Sequence, residues 1–352
     1  MSCDKSQTNR TRLEAAIAGR PVTHPVYAVY DWFPTHQSHV DWPWLYSLGL
    51  GQINHVNLIR HEHPNLQIVE STRRVGDHTR RDVRWITDKG ELNAWYLDAW
   101  QQEYLIKTPE DYRIMLRAWE GVKVVADDTA FLASEKAVGD NGITIGHTTG
   151  MGNGRTPMMV LQVDWVGLEQ WSMDMADELP EMMELLEFMN EAKLREIRQA
   201  VLTPAKQIKL WENFSAQSMG PAHYRRYLVP LYTKILDILN AAGKRLQVHY
   251  DGQLNVICRD IAGLDFDGID SLTPAPEGDM PIAEARKCWP DKMLWCHPPL
   301  GWYQKSPETL RRLITGMVRD AGPARFCLMI SEDLPPDWRR TVPQVLALLA
   351  GK

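Results

Sequence analysis

His249 and Asp251 stand two residues apart at the end of the apolar run RLQV. In an extended chain, residues i and i+2 share a face, so the imidazole and the carboxylate can point the same way. Gly252 then permits a close turn. This pair can begin a divalent-metal site, and Glu332, after the run FCLMI, is the candidate third ligand, with zinc the expected ion. The competing reading is a His249 that closes a strand and hydrogen-bonds Asp251. Glu212 follows QIKLW, and a carboxylate at a buried strand end is costly unless paired, ligated or protonated. It is therefore a candidate catalytic acid or base, with a fourth metal ligand and the partner of an arginine as alternatives. Asp31, after VYAVY, is a second catalytic candidate, or else a solvated turn carboxylate; Asp164 reads as the same kind of group or as a helix cap.

Fourteen tryptophans are many for 352 residues. Trp32, Trp165, Trp211, Trp295 and Trp302 fall near the ends of apolar runs. With Tyr250 and the carboxylate of Asp270, the first four of these are the candidate substrate contacts. Such a set suits a flat, apolar ligand, although tryptophan is more often a packing residue. The run His61-Glu62-His63 looks metal-like, but Pro64 and the polar surroundings predict a surface turn. The loop Gly150–Arg155 can cradle an anion, yet it lacks the dinucleotide fingerprint and the Walker lysine, which predicts a flexible loop. Cys296 and Cys327, inside apolar runs, are expected to pack as small apolar residues.

These side chains need elements to hold them. Eight apolar runs, 26–30, 53–59, 143–146, 207–211, 245–248, 268–271, 293–296 and 326–330, each end in or next to a polar residue: Asp31, Arg60, His147, Glu212, His249, Asp270, His297 and Glu332. Parallel strands buried on both faces read as solid apolar runs. In a (β/α)8 TIM barrel the active site is built at their carboxyl ends. Helical stripes alternate with the runs: Met182, Leu185, Leu186 and Met189 within 178–201, a stripe over 221–240 that Pro230 should kink or divide, and Leu310, Leu313, Ile314 and Met317 after the cap Ser306. Asp279 with Pro281 marks a helix start before 282–288. Residues 66–107 depart from this rhythm. Strand-like stretches broken at Gly76-Asp77 and Lys89-Gly90 predict an antiparallel β excursion after the second strand. The whole chain, 1–352, reads as a single barrel domain with 66–107 as a β-rich insertion.

The formal charge of −6 and a pI near 6.0 give no general attraction to nucleic acid or to an anionic membrane. No apolar run approaches the roughly 20 residues that span a bilayer. Five cysteines without paired spacing suggest free thiols in a reducing compartment. The polar start MSCDKSQTNR has no signal-peptide core. A cytoplasmic enzyme is expected.

The order of these pieces resembles the uroporphyrinogen decarboxylase superfamily, and within it the cobalamin-dependent, O-demethylase-like methyltransferase branch. RTRLEAAIAGRPVTHPVYAV is similar to the family's amino-terminal helix and first strand. WENFSAQSMGPAHYRRYLVPLYTKILDILNAAGKRLQVHYDG is similar to its central strand–helix–strand signature, and GIDSLTPAPEGDMPIAEARKCWPDKMLW and FCLMISEDLPPD continue the match. The resemblance implies a zinc site of the form His-x-Cys with a further Cys; here the matching positions are His249, Asp251 and Glu332. One imidazole and two carboxylates make a harder, more Lewis-acidic site than thiolates do, which favours a donor oxygen over a thiol. The expected reaction takes a methyl group from a small-molecule O-methyl donor, such as a methoxylated aromatic, to a Co(I) corrinoid. The chain has no D-x-H-x-x-G motif, so the resemblance implies that the corrinoid arrives on a separate corrinoid-binding protein. A homodimer is compatible with the chain. Decarboxylases proper carry an Arg-rich RQAGRY loop after the first strand, where this chain reads YDWFPTHQ. Two rivals stand beside the methyltransferase: a cofactor-free decarboxylase of a small acid, and a non-catalytic tetrapyrrole- or corrinoid-binding module.

Overall fold

Each of the eight apolar runs forms a strand in the computed structural model, which describes residues 7–20, 22, 24–31, 40–150, 152–330 and 338–349. The strands in chain order are β1 (Tyr27–Tyr30), β2 (Gly51–Asn57), β3 (Ile59–Glu62), β4 (Gln67–Val75), β5 (His78–Thr87), β6 (Gly90–Leu97), β7 (Trp100–Glu103), β8 (Lys123–Ala126), β9 (Gly142–His147), β10 (Gln207–Leu210), β11 (Arg245–His249), β12 (Gly268–Leu272), β13 (Met293–Cys296) and β14 (Phe326–Met329). Eight of them close a parallel barrel in the order β1-β14-β13-β12-β11-β10-β9-β2. The fold class read from the sequence is therefore the one observed, a (β/α)8 barrel with added antiparallel sheet.

The described residues fall into two compact units. The barrel unit comprises 1–58, 128–147 and 204–352. Its interior is layered because alternate residues of a strand face inward. At the amino ends of the strands, Val26, Ala28, Ile53, Ile143, Ile145, Met293 and Cys327 form an apolar floor with Leu13, Ala16 and Ile17 of the helix Asn9–Ile17. Above it, Trp295 donates its indole N–H to Gln247 Oε1 at 2.9 Å, and Gln247 donates to Gln207 Oε1 at 2.8 Å. The carboxyl-end layer is polar and carries Tyr30, His55, Lys209, His249, Asp270 and His297. Gly142 lets β9 approach β2 closely, since a Cβ there would overlap the Gln52 carbonyl oxygen.

The helices largely follow the sequence stripes. Ser306 accepts from the Thr309 amide and starts the helix Pro307–Ala321. The segment 221–240 is divided by a π-helical stretch, Tyr224–Leu228, ahead of the helix Val229–Ala241. Pro230 has no N–H to offer the preceding turn, so a break at this place has a physical cause. Asp279 does not cap the helix Ile282–Cys288; its carboxylate accepts from the amides of Leu254 and Asn255 at 2.6 and 3.1 Å.

The second unit comprises 59–127 and 148–203. Strands β4 to β7 form a four-stranded antiparallel sheet, with tight connections at Gly76-Asp77 and Asp88-Lys89, where the excursion was expected. The unit also holds the antiparallel pair β3–β8 and the helices Pro109–Trp119, Leu168–Ala176 and Pro180–Ala200, so it is larger than the expected 66–107 insertion. Among the described residues, no helix is long and apolar enough to cross a membrane.

Candidate active site

Asp270, on β12, is the hub of the polar layer. It is ion-paired with Lys209 of β10, accepts from Tyr30 Oη at 2.6 Å, and lies 3.0 Å from His249 Nδ1 and 3.9 Å from His297 Nε2. Burial alone would raise its pKa, but Lys209, His249 and His297 together hold the carboxyl well below the usual range. It is an anion held by the Lys209 ammonium and by hydrogen-bond donors, unsuited to accept a proton at neutral pH. Lys209 also reaches Tyr30 Oη at 3.1 Å and His55 Nε2 at 3.4 Å, and its ammonium lies 3.6 Å from the centre of the Trp211 ring. Burial, then the Lys209 charge, pushes His55 far below the ordinary imidazole range. Burial and the neighbouring His249 and Lys209 outweigh Asp270 at His297, whose pKa falls to about 3. Both rings are neutral at pH 7.

His249 is oriented by this hub. With Asp270 ionised, Nδ1 carries a proton and donates it, and Nε2 faces Asp251, whose Oδ2 is 3.9 Å away. A ligating histidine is usually held this way, with one ring N–H given to a carboxylate and the other nitrogen to the metal. On that donor chemistry, His249 and Asp251 fit a divalent ion. The third proposed ligand, Glu332, lies outside the described residues, as does Trp32. Among the described residues, no group of three His, Cys, Asp or Glu side chains is placed to hold a metal.

Of the sequence candidates, the fold thus brings together Asp31, Trp211, His249, Asp251 and Asp270. Asp31 Oδ1 is 3.8 Å from His55 Nδ1, and the Trp211 ring lies 4.6 Å from His55 and 5.3 Å from His249. Glu212 does not join them. Gln207, Lys209 and Trp211 face the barrel interior, so strand alternation turns Glu212 to the helix side, where it is fully buried beside Tyr232 and close to Tyr224 and Tyr250. Tyr250 likewise faces outward, packed on Phe214 and 3.3 Å from Tyr224 Oη, with no surface left for a substrate. Trp295 sits in the glutamine layer below the polar one. Trp165 belongs to the second unit and packs against Trp85 and Trp119.

Lys209, Tyr30, His55 and His297 complete the cluster. The first three lie inside apolar runs, where attention to run ends passes over them. A lysine in a solid apolar run was the available signal, because a buried ammonium requires a partner.

In the second unit, His61 is no surface residue. Its Nε2 lies 3.2 Å from Glu196 Oε1, and Glu196 Oε2 is 2.7 Å from Lys193 Nζ, with Lys193 and Glu196 fully buried. A Cβ on Gly150 would collide with the His61 ring. Arg155, at the end of that loop, is buried in an ion pair with Asp164, 3.1 Å apart, so this end of the loop is packed and Asp164 is no solvated cap. Burial still raises the Asp164 carboxyl against the pull of Arg155.

Comparison with known proteins agrees with this architecture. Along nearly its whole length the chain is similar in structure to a methyltransferase from Methanosarcina mazei, at 14% identity over 98% of both chains and a TM-score of 0.57. A xylose isomerase domain protein from Planctomyces limnophilus matches at 17% identity over 69% of this chain and 83% of that one, with a TM-score of 0.34. No curated protein matches the chain. Residues 156–340, which carry β10 to β14 and with them Lys209, His249, Asp270 and His297, match the family model described as uroporphyrinogen decarboxylase (URO-D). The chain belongs to the uroporphyrinogen decarboxylase family.

Proposed function

We propose that the chain is a metal-dependent methyltransferase that moves a methyl group from an O-methyl donor, such as a methoxylated aromatic, to the Co(I) corrinoid of a partner protein. The observation that carries this reading is the Asp270–His249–Asp251 line, with Nδ1 committed to Asp270 and Nε2 facing a second carboxylate. His249 Nε2, Asp251 and Glu332 would hold the ion, expected to be zinc. A divalent ion there supplies Lewis acidity toward the poor leaving oxygen of an ether. The fold shared with a methyltransferase over 98% of both chains adds support.

The chain's own residues do the rest. Asp270 fixes the His249 ring, and Lys209 keeps Asp270 ionised so that it can do so. Trp211 offers a flat apolar wall over Lys209 for an aromatic donor. Asp31, partly exposed beside His55, is the carboxyl best placed to hand a proton to a departing alkoxide or phenoxide. Glu212 acts from behind the strands, bracing the tyrosines that surround Tyr250, the residue between the two ligands.

The test supplies purified protein with a reduced corrinoid acceptor and follows methyl–cobalt formation with methoxyaromatics, aliphatic methyl ethers, methylamines and methyl thiols. Transfer from methoxy donors is expected, together with about one divalent ion per chain that His249→Ala removes. Transfer confined to thiols or amines would overturn the choice of donor. One observation favours a second reading, a decarboxylase: Lys209 is a cation inside the barrel, and such a cation can hold a substrate carboxylate. Release of carbon dioxide without corrinoid would decide for it.

A further inference from the structure

Two cysteines meet on consecutive helices away from the polar layer. Cys258 opens the helix Cys258–Ala262, which follows β11, and Cys288 closes the helix Ile282–Cys288, which follows β12. The Cys258 thiol is the ionisable neighbour that acts most strongly on the Cys288 thiol. The neighbouring contact holds the same juxtaposition, because the Trp289 indole N–H donates to the Cys258 carbonyl at 2.9 Å. Both thiols are free, and both residues are half-buried. Cys288 also lines an open surface pocket of about 260 Å³ with Leu264, Trp289 and Lys292. Cys296 and Cys327 are free too, but differ in exposure. They are fully buried inside the barrel strands, and burial pushes the Cys296 thiol up to about 12.

We propose that Cys258 and Cys288 are a redox-active dithiol that closes to an intrachain disulfide by exchange with a small-molecule disulfide of the glutathione class. One protein thiolate attacks a sulfur of the small disulfide, breaking its S–S bond, forming a mixed disulfide and releasing one small thiolate. The second protein thiolate attacks the protein sulfur of that mixed disulfide, forming the intrachain bond and releasing the other small thiolate. Two electrons pass from the protein to the small disulfide, and the two protons lost by the cysteines go to the released thiolates. The pocket gives the small disulfide a route to Cys288. Burial, then the neighbouring Cys258 side chain, pushes the Cys288 thiol up to about 11. Closure is accordingly slow at neutral pH and speeds up in alkali, as the thiolate fraction of a high-pKa thiol grows about tenfold per pH unit. The new bond would tie the helix behind His249 to the helix behind Asp270.

The full-length protein is incubated with oxidised glutathione at pH 7 and pH 9, alkylated, digested without reductant and mapped by mass spectrometry. A linked Cys258–Cys288 peptide pair, lighter by two hydrogens, formed faster at pH 9 and reversed by dithiothreitol, is expected. Cys296 and Cys327 should stay unlinked. In a Cys258→Ala variant, Cys288 should be recovered free or carrying glutathione. Full alkylation of both cysteines after the pH 9 incubation overturns the proposal, and so does glutathione retained on both without a cross-link. The wild-type map decides the matter even if the variant folds poorly.

Discussion

Lys209 and Asp270 are a buried ion pair whose partners cannot be removed one at a time without exposing the other to a low-dielectric surrounding. Lys209→Met should therefore cost about 3–5 kcal/mol of stability, and Asp270→Asn a similar amount. The double variant should recover much of that loss, which denaturant unfolding of the three proteins would reveal as strong non-additivity. His297 makes a different prediction, in pH. Its folded pKa of about 3 lies below the ordinary 6.5, so between those values the unfolded chain binds a proton that the folded chain refuses. Stability then falls as pH drops from about 6.5 toward 3, by about 4–5 kcal/mol for this group alone. Asp270 contributes little above about pH 4, since with a depressed folded pKa its stabilisation falls only once the pH drops below the ordinary carboxylate value of 3.8. His297→Gln should flatten the dependence, measured as the shift in urea midpoint between pH 7 and pH 4.5; an unchanged slope would contradict the neutral, buried imidazole. The sequence disclosed His249 and Asp270 because they close apolar runs. It concealed Tyr30, His55 and Lys209, whose inward direction becomes visible only once strand alternation is fixed by the barrel.

All eight barrel strands were legible as apolar runs, because two-sided burial leaves no polar face to confuse the pattern. The hairpins β4–β5 and β5–β6 were legible through their turn residues, whereas β7, a short and largely polar strand, was not. The pair β3–β8 was not: His61-Glu62-His63 and the half-exposed KVVA carry too little apolar character to announce a strand. Nor does any local signal bring 148–203 into one unit with 59–127; that grouping rests on long-range packing. Glu212 misled for a related reason, since a buried carboxylate after a strand looks alike from either side of the sheet. Close strand approach gives the element-scale prediction. Gly142→Ala places a methyl group against the Gln52 carbonyl, and with no flexible side chain to yield, it should destabilise the fold by about 1–3 kcal/mol or more. Ser306→Ala, losing only the cap on an exposed helix end, should cost about 1 kcal/mol. Thermal midpoints of the two variants should therefore separate clearly.

For the molecule as a whole, the proposed metal site ties ligand binding to stability. If His249, Asp251 and Glu332 hold a divalent ion, chelation should lower the thermal midpoint of the metal-loaded protein and restored zinc should raise it, because a ligand that binds only the folded state stabilises it. His249→Ala should abolish the response; a response that survives would place the ion elsewhere. The helix Asn9–Ile17 has a consequence at this scale too. With Leu13, Ala16 and Ile17 seated against the apolar floor, the barrel is a cup rather than a tube. Any molecule that reaches Asp270 must leave through the rim by which it entered. On the proposed reaction, donor and demethylated product would share one doorway and exclude each other there, so the demethylated product should inhibit competitively against the donor, and turnover should slow as it accumulates.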